Sequence, residues 1–239
     1  LPLFTVTDIL KSSPERSEPS CPLYGRCGGC DWLHILPHAQ AVFKRDIFLD
    51  CLARIGKVPL SADGCDLIAG PPQGYRLRAQ IKTQKDRAGF FGRGTHEIVK
   101  ITTCPLLVTP LNDLLARQAE WLPLLPPNTP QVRVIAGDSQ LASDPVLKEG
   151  WSAARTAICV GSRRFVVDGD GFFQSNRHLL ETLGTWPQPF IGGNSMVDLY
   201  GGVGFFSVML GKAFGRGYVV DSVPPLVSAA RENLLSNGC

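Results

Sequence analysis

The sequence predicts an α/β fold in which a β-rich region precedes the start of a doubly wound parallel sheet. Residues 74–100 alternate apolar and polar side chains, as antiparallel strands do. After Gly193 the chain reads as strand, glycine turn, helix, strand and helix, and strands separated in this way pair in parallel. The 239 residues suffice for one large or two ordinary domains.

Composition excludes several classes of protein. The chain is 44% hydrophobic and 19% charged, as expected of a globular protein that buries a core. No run of 18 or more apolar residues is present, so no membrane span and no membrane partner are expected. Eight cysteines without an export signal indicate reduced thiols and a cytoplasmic location, where clustered cysteines are more often metal ligands than disulfides.

The first quarter of the chain contains one clear helical pattern. Residues 4–11 are predicted as a short strand, followed by a polar linker over residues 12–20. Residues 38–55 show helical spacing of apolar positions, with Gly56 as the C-cap.

The middle of the chain is predicted to be mostly strands. The alternating segment at residues 74–100 forms a hairpin, and a helix follows over residues 110–122. Three further strands and one helix are predicted: strands at residues 132–136, 157–160 and 164–168, and the helix at residues 176–185.

Positive charge is concentrated on the predicted hairpin. Between residues 76 and 100 there are seven basic residues against two acidic ones, Asp86 and Glu97. The basic residues are Arg76, Arg78, Lys82, Lys85, Arg87, Arg93 and Lys100. Such a stripe suits phosphate contacts, and the competing interpretation is an ordinary solvated face of a sheet.

Three cysteines lie within ten positions, spaced C-x5-C-x2-C: Cys21, Cys27 and Cys30. A closed tetrahedral site needs a fourth ligand, for which the sequence offers Cys51, Cys65, Cys104 and Cys159. Four thiolates suit zinc or an iron–sulfur cluster, and three grouped cysteines with one remote favour a [4Fe–4S] cluster. Glycines between two of the cysteines argue against ordinary buried thiols, because they let a loop wrap tightly around a bulky group.

The glycine-rich segment MVDLYGGVGFFS predicts a ligand loop between a parallel strand and a helix. Asp198 lies near the end of the first strand, and Asp221 ends the next strand, where a carboxylate can accept both hydroxyls of a ribose. Ser207 replaces the third glycine of the dinucleotide fingerprint. An adenosine ligand without pyrophosphate, such as S-adenosylmethionine, therefore suits the loop better than NAD; the alternative is a tight turn without a ligand.

Four motifs together resemble the RNA 5-methyluridine methyltransferase family, in particular its iron–sulfur branch that acts on 23S ribosomal RNA. In chain order the motifs are CPLYGRCGGC, ITTCPLL, DGFFQSN and DLYGGVGFFS, and the resemblance covers essentially the whole chain. It implies an S-adenosylmethionine-dependent enzyme that forms 5-methyluridine in rRNA. The implied fold class is α/β: the start of a class I (Rossmann-like) methyltransferase domain plus a β-rich central domain with an iron–sulfur site.

The resemblance also implies roles for individual residues. The metal ligands would be Cys21, Cys27, Cys30 and Cys104. The cofactor contacts would be Gln174, Asp198, Tyr200, Gly202, Gly204 and Asp221. The RNA contacts would be Arg76, Arg78 and Lys82. Residues 1–11 would end a TRAM-like RNA-binding domain, residues 12–173 would form the central iron–sulfur and RNA-binding domain, and residues 174–239 would begin the methyltransferase domain. The helix at residues 38–55 is expected to pack on the methyltransferase domain.

The sequence departs from the family at two places. Gly201 stands where the family usually has cysteine, in a loop that tolerates glycine. The family's chemistry also needs a cysteine nucleophile, within a Ser-Cys-Asn-Pro motif, and a glutamate base, and no match to either is found. We therefore assign no catalytic residue. We expect the chain, which begins at Leu1, to be a fragment that is truncated at both ends, poorly soluble and inactive alone.

Two other classes of protein compete with the enzyme. A non-catalytic iron–sulfur RNA-binding protein would need no cofactor loop, so S-adenosylmethionine binding separates it from the enzyme. A zinc protein with a nucleotide-binding fold would contain zinc without sulfide. For the enzyme we expect a monomer whose partner is structured RNA, gripped through the basic stripe, with the target base removed from its stack.

Overall fold

The chain divides into two compact units. A computed structural model describes residues 6–148 and 150–239. The first unit extends to Ala69, and the second runs from Gly70 to Cys239. The domain boundaries expected after residues 11 and 173 stay predictions.

The first unit contains a turn-rich cysteine segment and one long helix. Helix α1, Pro37–Arg54, begins with a proline, whose fixed φ and missing N–H suit the first turn of a helix. The predicted helix at residues 38–55 is confirmed. Ile47 and Phe48 on this helix are 52% and 51% exposed. Its expected packing on the methyltransferase domain stays a prediction.

The strand predicted at residues 4–11 is wrong for the part that the structure describes. Residues 6–11 form no strand, and residues 4 and 5 lie outside the described residues. A strand needs a neighbour to satisfy its backbone N–H and C=O groups, and no strand among the described residues pairs with this segment. The assignment of residues 1–11 to a TRAM-like domain stays a prediction.

The second unit is built on a five-stranded antiparallel sheet with the spatial order β3-β2-β1-β4-β5. Its strands are β1 Arg78–Gln84, β2 Arg87–Phe91, β3 Ile98–Lys100, β4 Gln131–Ala136 and β5 Leu141–Asp144. The hairpin and the strand at residues 132–136 were predicted and are confirmed. Sequence reasoning missed β5, because four residues with mixed polarity carry no clear alternation.

One face of this sheet is buried and the other is partly exposed. On β1, Ala79, Ile81 and Thr83 are buried, and the residues between them point to the opposite face. Helices α2, Thr109–Ala116, and α3, Gln118–Trp121, pack on the buried face. The helix predicted over residues 110–122 is thus interrupted between these two helices.

The buried Gln118 side chain joins α3 to the sheet. Its Oε1 accepts the Ala88 N–H at 2.8 Å. Its Nε2 donates to the carbonyls of Ile101 and Leu115, each at 3.0 Å. All polar atoms of this amide are therefore partnered, as burial requires.

A hairpin follows the five-stranded sheet. Strands β6, Arg155–Val160, and β7, Arg163–Asp168, pair antiparallel and confirm the strands predicted here. Helix α4, Leu180–Thr185, is shorter than the predicted helix at residues 176–185. The reason is that Asn176 forms an antiparallel bridge with Arg76, which holds the start of the segment in an extended conformation.

The last part of the chain forms a parallel pair of strands with two helices. Strands β8, Ser195–Leu199, and β9, Arg216–Val220, pair in parallel register, with Asp198 opposite Val219. Helix α5, Phe205–Leu210, connects the two strands, and helix α6, Pro224–Ser236, follows β9. The predicted order of strand, helix, strand and helix is confirmed.

Candidate cofactor site at the glycine loop

We define the glycine loop as residues 200–204, between β8 and α5. Three of its residues have left-handed backbone conformations: Tyr200 with φ 57°, Gly202 with φ 54° and Gly204 with φ 79°. Glycine adopts this region without strain, whereas tyrosine does not. The Tyr200 side chain is 90% exposed, so packing against the protein does not explain its conformation.

The Asp198 carboxylate, at the end of β8, is fixed by the first turn of α5. Its Oδ2 accepts hydrogen bonds from the Ser207 Oγ at 2.7 Å and from the Ser207 N–H at 3.2 Å. Ser207 is buried, so both of its donors depend on this carboxylate. The residue that replaces the third glycine of the dinucleotide fingerprint thus orients a predicted cofactor contact.

The Asp221 carboxylate, just after β9, bridges two backbone segments. Its Oδ2 accepts the Gly202 N–H at 2.9 Å, and its Oδ1 accepts the Val223 N–H at 2.9 Å. An ionised carboxylate offers about four acceptor positions, so each oxygen keeps room for one more donor. Both ribose hydroxyls of an adenosine ligand can therefore bind to this half-buried side chain.

An aromatic cluster brings the DGFFQSN segment to the glycine loop. The Phe173 ring lies 5.7 Å from the Phe205 ring in an edge-to-face arrangement, and both contact Phe165 on β7 at 5.5 Å. Phe205 directly follows Gly204, and Gln174 directly follows Phe173. The half-buried Gln174 amide makes no hydrogen bond to the described part of the chain, so its donors and acceptor remain available for a ligand.

Gly201 lies in a tight space, where any larger residue would force its neighbours to shift. A Cβ added there would lie 2.5 Å from Val219 Cγ1 and 3.2 Å from Asp198 Cγ. The loop therefore accommodates glycine, as expected, and Val219 disfavours a larger residue at this position.

The predicted RNA contacts lie on or beside the exposed face of the five-stranded sheet. The Lys82 Nζ donates to Gln131 Oε1 at 2.5 Å and lies 4.9 Å from the centre of the Phe91 ring. The Arg78 guanidinium lies 5.0 Å from the centre of the Phe172 ring. Arg76 is exposed and precedes β1.

Charge on this face affects Arg78. Burial lowers the pKa of its guanidinium from the ordinary value, and the neighbouring charges of Arg76 and Arg133 lower it further. Sequence reasoning missed Arg133, which lies on β4 opposite Gln80 of β1. Its Nη2 donates to Asp144 Oδ2 at 2.7 Å, which forms an ion pair. Only the strand register, which the sequence pattern does not give, places it in this group.

The cysteine segment forms a series of turns in the first unit. Cys21, Cys27 and Cys30 are each half-buried, and the Gly29 N–H donates to the Cys27 Sγ at 3.4 Å. Backbone N–H groups that point at sulfur are what a thiolate ligand needs. Among residues 6–148 and 150–239, however, no group of three or more His, Cys, Asp or Glu side chains is arranged to hold a metal ion. The expected [4Fe–4S] cluster is therefore not confirmed.

Cys104 lies in the second unit, in the loop before α2. Asn112 fixes its backbone: Oδ1 accepts the Cys104 N–H at 2.8 Å, and Nδ2 donates to the Cys104 carbonyl at 3.1 Å. The position of this predicted fourth ligand is thus well defined within its own unit.

No helix in the described ranges has the length and apolarity needed to cross a bilayer.

Comparisons with known proteins find RNA methyltransferases among the similar sequences. No protein-family model matches the sequence. An uncharacterized RNA methyltransferase of Bdellovibrio bacteriovorus is 29% identical over 238 residues, which cover 96% of this chain and 56% of that protein. The 23S rRNA (uracil(1939)-C(5))-methyltransferase RlmD of Shewanella amazonensis is 25% identical over 277 residues. The match covers 96% of this chain and 62% of that protein.

A solved structure has the same fold. The tRNA (uracil-54, C5)-methyltransferase of Pyrococcus abyssi, in complex with S-adenosyl-L-homocysteine, matches with a TM-score of 0.73 and 20% identity. The match covers 97% of this chain and 65% of that one. The chain therefore has an α/β fold similar to that of this uracil methyltransferase.

The resemblance to the RNA 5-methyluridine methyltransferases is confirmed by these relatives. The chain spans 56% and 62% of the length of the two curated relatives named above.

Proposed function

We propose that the chain supplies the S-adenosylmethionine site and an RNA-binding surface of an RNA uracil-C5 methyltransferase, with 23S ribosomal RNA as substrate. The observation that carries the proposal is that Asp198 and Asp221 both hydrogen-bond to the glycine loop or to the helix that follows it. Gln174 directly follows Phe173, whose ring packs on Phe205 at the end of the same loop. The relatives named 23S rRNA uracil methyltransferases support the choice of substrate. The non-catalytic alternative is less well supported, because a pure RNA-binding protein has no use for a cofactor loop.

Each side chain has a task at this site. Asp221 accepts the two ribose hydroxyls, and Asp198, oriented by Ser207, accepts a donor near the end of β8. Gln174, next to Phe173, supplies an amide that can bind the ligand. When bound, S-adenosylmethionine supplies an electrophilic methyl group. No residue of this chain is assigned as nucleophile or base.

The exposed sheet face suits single-stranded or looped RNA. Arg78, Lys82 and Arg133 supply positive charge for phosphates. Phe91 and Phe172 supply rings beside those charges, and bases of unpaired RNA stack on such rings. Unstacked loop nucleotides are the part of RNA that proteins read by sequence.

Calorimetric titration with S-adenosylhomocysteine tests the cofactor site. Asp221→Asn removes the charge that strengthens bonds to the ribose, so we expect affinity to fall about tenfold or more. The control is Asp86→Asn, in the β1–β2 turn of a different sheet, which should bind as the unchanged chain does. If the unchanged chain shows no binding, or if both variants bind equally well, the proposed cofactor site is wrong.

Competition binding tests the substrate. A labelled 23S rRNA hairpin that contains the uridine named in the RlmD relatives is bound to the chain and displaced with a tRNA T-arm. We expect the rRNA hairpin to bind more tightly. Tighter binding of the T-arm would point instead to a tRNA substrate, as in the archaeal enzyme of known structure.

We further propose that Cys21, Cys27, Cys30 and Cys104 ligate a [4Fe–4S] cluster. The support is the all-thiol donor set and the N–H group directed at Cys27. Iron and acid-labile sulfide are measured after purification without oxygen, with Cys51→Ser as the control for a cysteine outside the set. About four irons and four sulfides per chain are expected. Zinc without sulfide would favour a zinc protein instead.

A further inference from the structure

The side chain of Asn233, on α6, is fully buried and fully hydrogen-bonded. Its exposed fraction is 0%. Its Oδ1 accepts the Val166 N–H at 2.7 Å, and its Nδ2 donates to the Val166 carbonyl at 3.1 Å. The second Nδ2 hydrogen bond goes to the Val203 carbonyl at 3.0 Å. One amide therefore joins α6, strand β7 and the glycine loop.

The hydrogen bond from Asn233 to the Val203 carbonyl is the contact that connects this side chain to the glycine loop. Val203 is buried and lies between Gly202 and Gly204, so its carbonyl depends on a protein partner. The same helix packs on the next residue: a Cβ added at Gly204 would lie 3.2 Å from Ala230 Cβ. Helix α6 thus stabilises the loop in two ways: Ala230 packs on Gly204, and Asn233 donates a hydrogen bond to the Val203 carbonyl.

Other hydrogen bonds of the loop come from the sheet side, from within the loop or from helix α5, where the Val208 N–H donates to the Gly204 carbonyl at 2.9 Å. The Gly201 N–H donates to the Val220 carbonyl at 3.1 Å, and the Gly204 N–H donates to the Gly201 carbonyl at 2.8 Å. The Gly202 N–H donates to Asp221. Asn233 is therefore the helix-side counterpart of Asp221, a residue that also binds the cofactor in the proposed function.

We propose that Asn233 is a positioning residue for the cofactor: it sets the glycine loop in its binding conformation through the Val203 carbonyl. This inference rests on the proposed function of the loop. Loss of the amide leaves a buried carbonyl without a donor, and the loop relaxes to find another partner. Cofactor affinity then falls although no atom of Asn233 touches the ligand.

Asn237 provides a matched control. It follows the last residue of α6 and repeats the same pairing one helical turn later: its Oδ1 accepts the Arg164 N–H at 3.0 Å, and its Nδ2 donates to the Arg164 carbonyl at 2.8 Å. It makes no hydrogen bond to the glycine loop within the described residues. Asn237→Ala therefore removes the same contact with β7 and leaves the loop bond intact.

Hydrogen exchange of the loop amides tests the inference without any ligand. In Asn233→Ala we expect residues 202–206 to exchange at least tenfold faster than in the unchanged chain, and in Asn237→Ala at the unchanged rate. S-adenosylhomocysteine affinity, measured by calorimetry, should fall about tenfold in the first variant and stay constant in the second.

The near-isosteric Asn233→Asp covers the case in which the alanine variant fails to fold. It keeps the acceptor for the Val166 N–H, but when ionised it loses the donors to the carbonyls of both Val166 and Val203. Compared with the unchanged chain at the same pH, the loop of this variant should exchange faster at neutral pH. The difference should shrink as the pH falls and the new carboxyl regains a proton to donate.

Two results would overturn the inference. One is equal loop exchange in the Asn233 and Asn237 variants; the other is unchanged S-adenosylhomocysteine affinity in a folded Asn233 variant. Failure of the proposed function looks different, because the unchanged chain would then bind no S-adenosylhomocysteine while the exchange difference between the two variants persisted.

Discussion

At the scale of single residues, the glycine loop places a tyrosine where glycine is the ordinary choice. Tyr200 has φ 57° and an almost fully exposed side chain. A left-handed conformation costs a non-glycine residue about 1–2 kcal/mol. No contact within the described chain offsets that cost, whereas a ligand stacked on the Tyr200 ring would offset it.

Tyr200→Gly should therefore move stability and binding in opposite directions. We expect the free energy of unfolding to rise by about 0.5–1 kcal/mol, because relief of strain exceeds the extra backbone entropy of glycine. Affinity for S-adenosylhomocysteine should fall. Urea denaturation and calorimetry measure the two quantities.

Tyr218→Gly is the control for that prediction. Tyr218 is also exposed but lies in strand β9 with ordinary strand geometry. Its replacement should lower stability by about 1 kcal/mol. If Tyr200→Gly lowers stability by the same amount, the strain argument fails.

At the scale of secondary-structure elements, the contact between Gly201 and Val219 fixes how closely the loop approaches β9. The 2.5 Å separation from an added Cβ means that even alanine forces a shift. The distance between the loop and Asp221, at the end of the same strand, depends on this close approach.

A double-mutant cycle tests this contact. Gly201→Ala should lower the free energy of unfolding by about 1–3 kcal/mol, as overpacking does. Adding Val219→Ala opens the space, so the double variant should lose less than the sum of the two single losses, by about 1 kcal/mol.

Gly192 supplies the matched control, since an added Cβ there meets nothing within 4 Å. Gly192→Ala and Val219→Ala should combine additively. Additive behaviour of the Gly201 pair as well would show that Val219 does not limit the loop.

At the scale of the whole molecule, the second unit carries its two proposed binding surfaces on different sheets. The cofactor loop extends from the parallel pair β8–β9, and the basic face belongs to the five-stranded antiparallel sheet. The DGFFQSN segment connects the two surfaces. The Phe172 ring lies under the Arg78 guanidinium of the basic face, and Phe173 packs on Phe205 next to the glycine loop. An RNA base near Phe172 would thus lie two residues along the chain from Gln174.

Salt dependence of RNA binding tests the basic face. Lys82→Gln should weaken binding of a single-stranded RNA and reduce the slope of log affinity against log salt by roughly 0.7. Fluorescence anisotropy over a range of potassium chloride concentrations measures both effects.

Arg117→Gln is the charge-matched control. Arg117 follows α2, which packs on the opposite face of the sheet, and it pairs with Glu120 at 2.6 Å. This variant should leave the slope unchanged. An equal loss of slope in both variants would mean that RNA does not select the basic face.

Local patterns in the sequence predicted the parts of the molecule that depend on near neighbours. The parallel pair, the glycine loop and Asp198 follow from one continuous segment, and Asp221 follows from its place at the end of the next strand. Asn233 and Arg133 could not be predicted, because their roles depend on which distant strand they contact. The [4Fe–4S] cluster stays a proposal because its four cysteines come from two separate units.

The paired asparagines at the end of the chain have a further consequence for strand β7. Among the described strands, β7 has one neighbour, β6, so its other side is an open edge. Side-chain amides of Asn233 and Asn237 occupy the N–H and C=O groups of Val166 and Arg164 on that edge. An edge filled in this way cannot recruit a strand from another molecule, so α6 protects the hairpin against intermolecular β-aggregation.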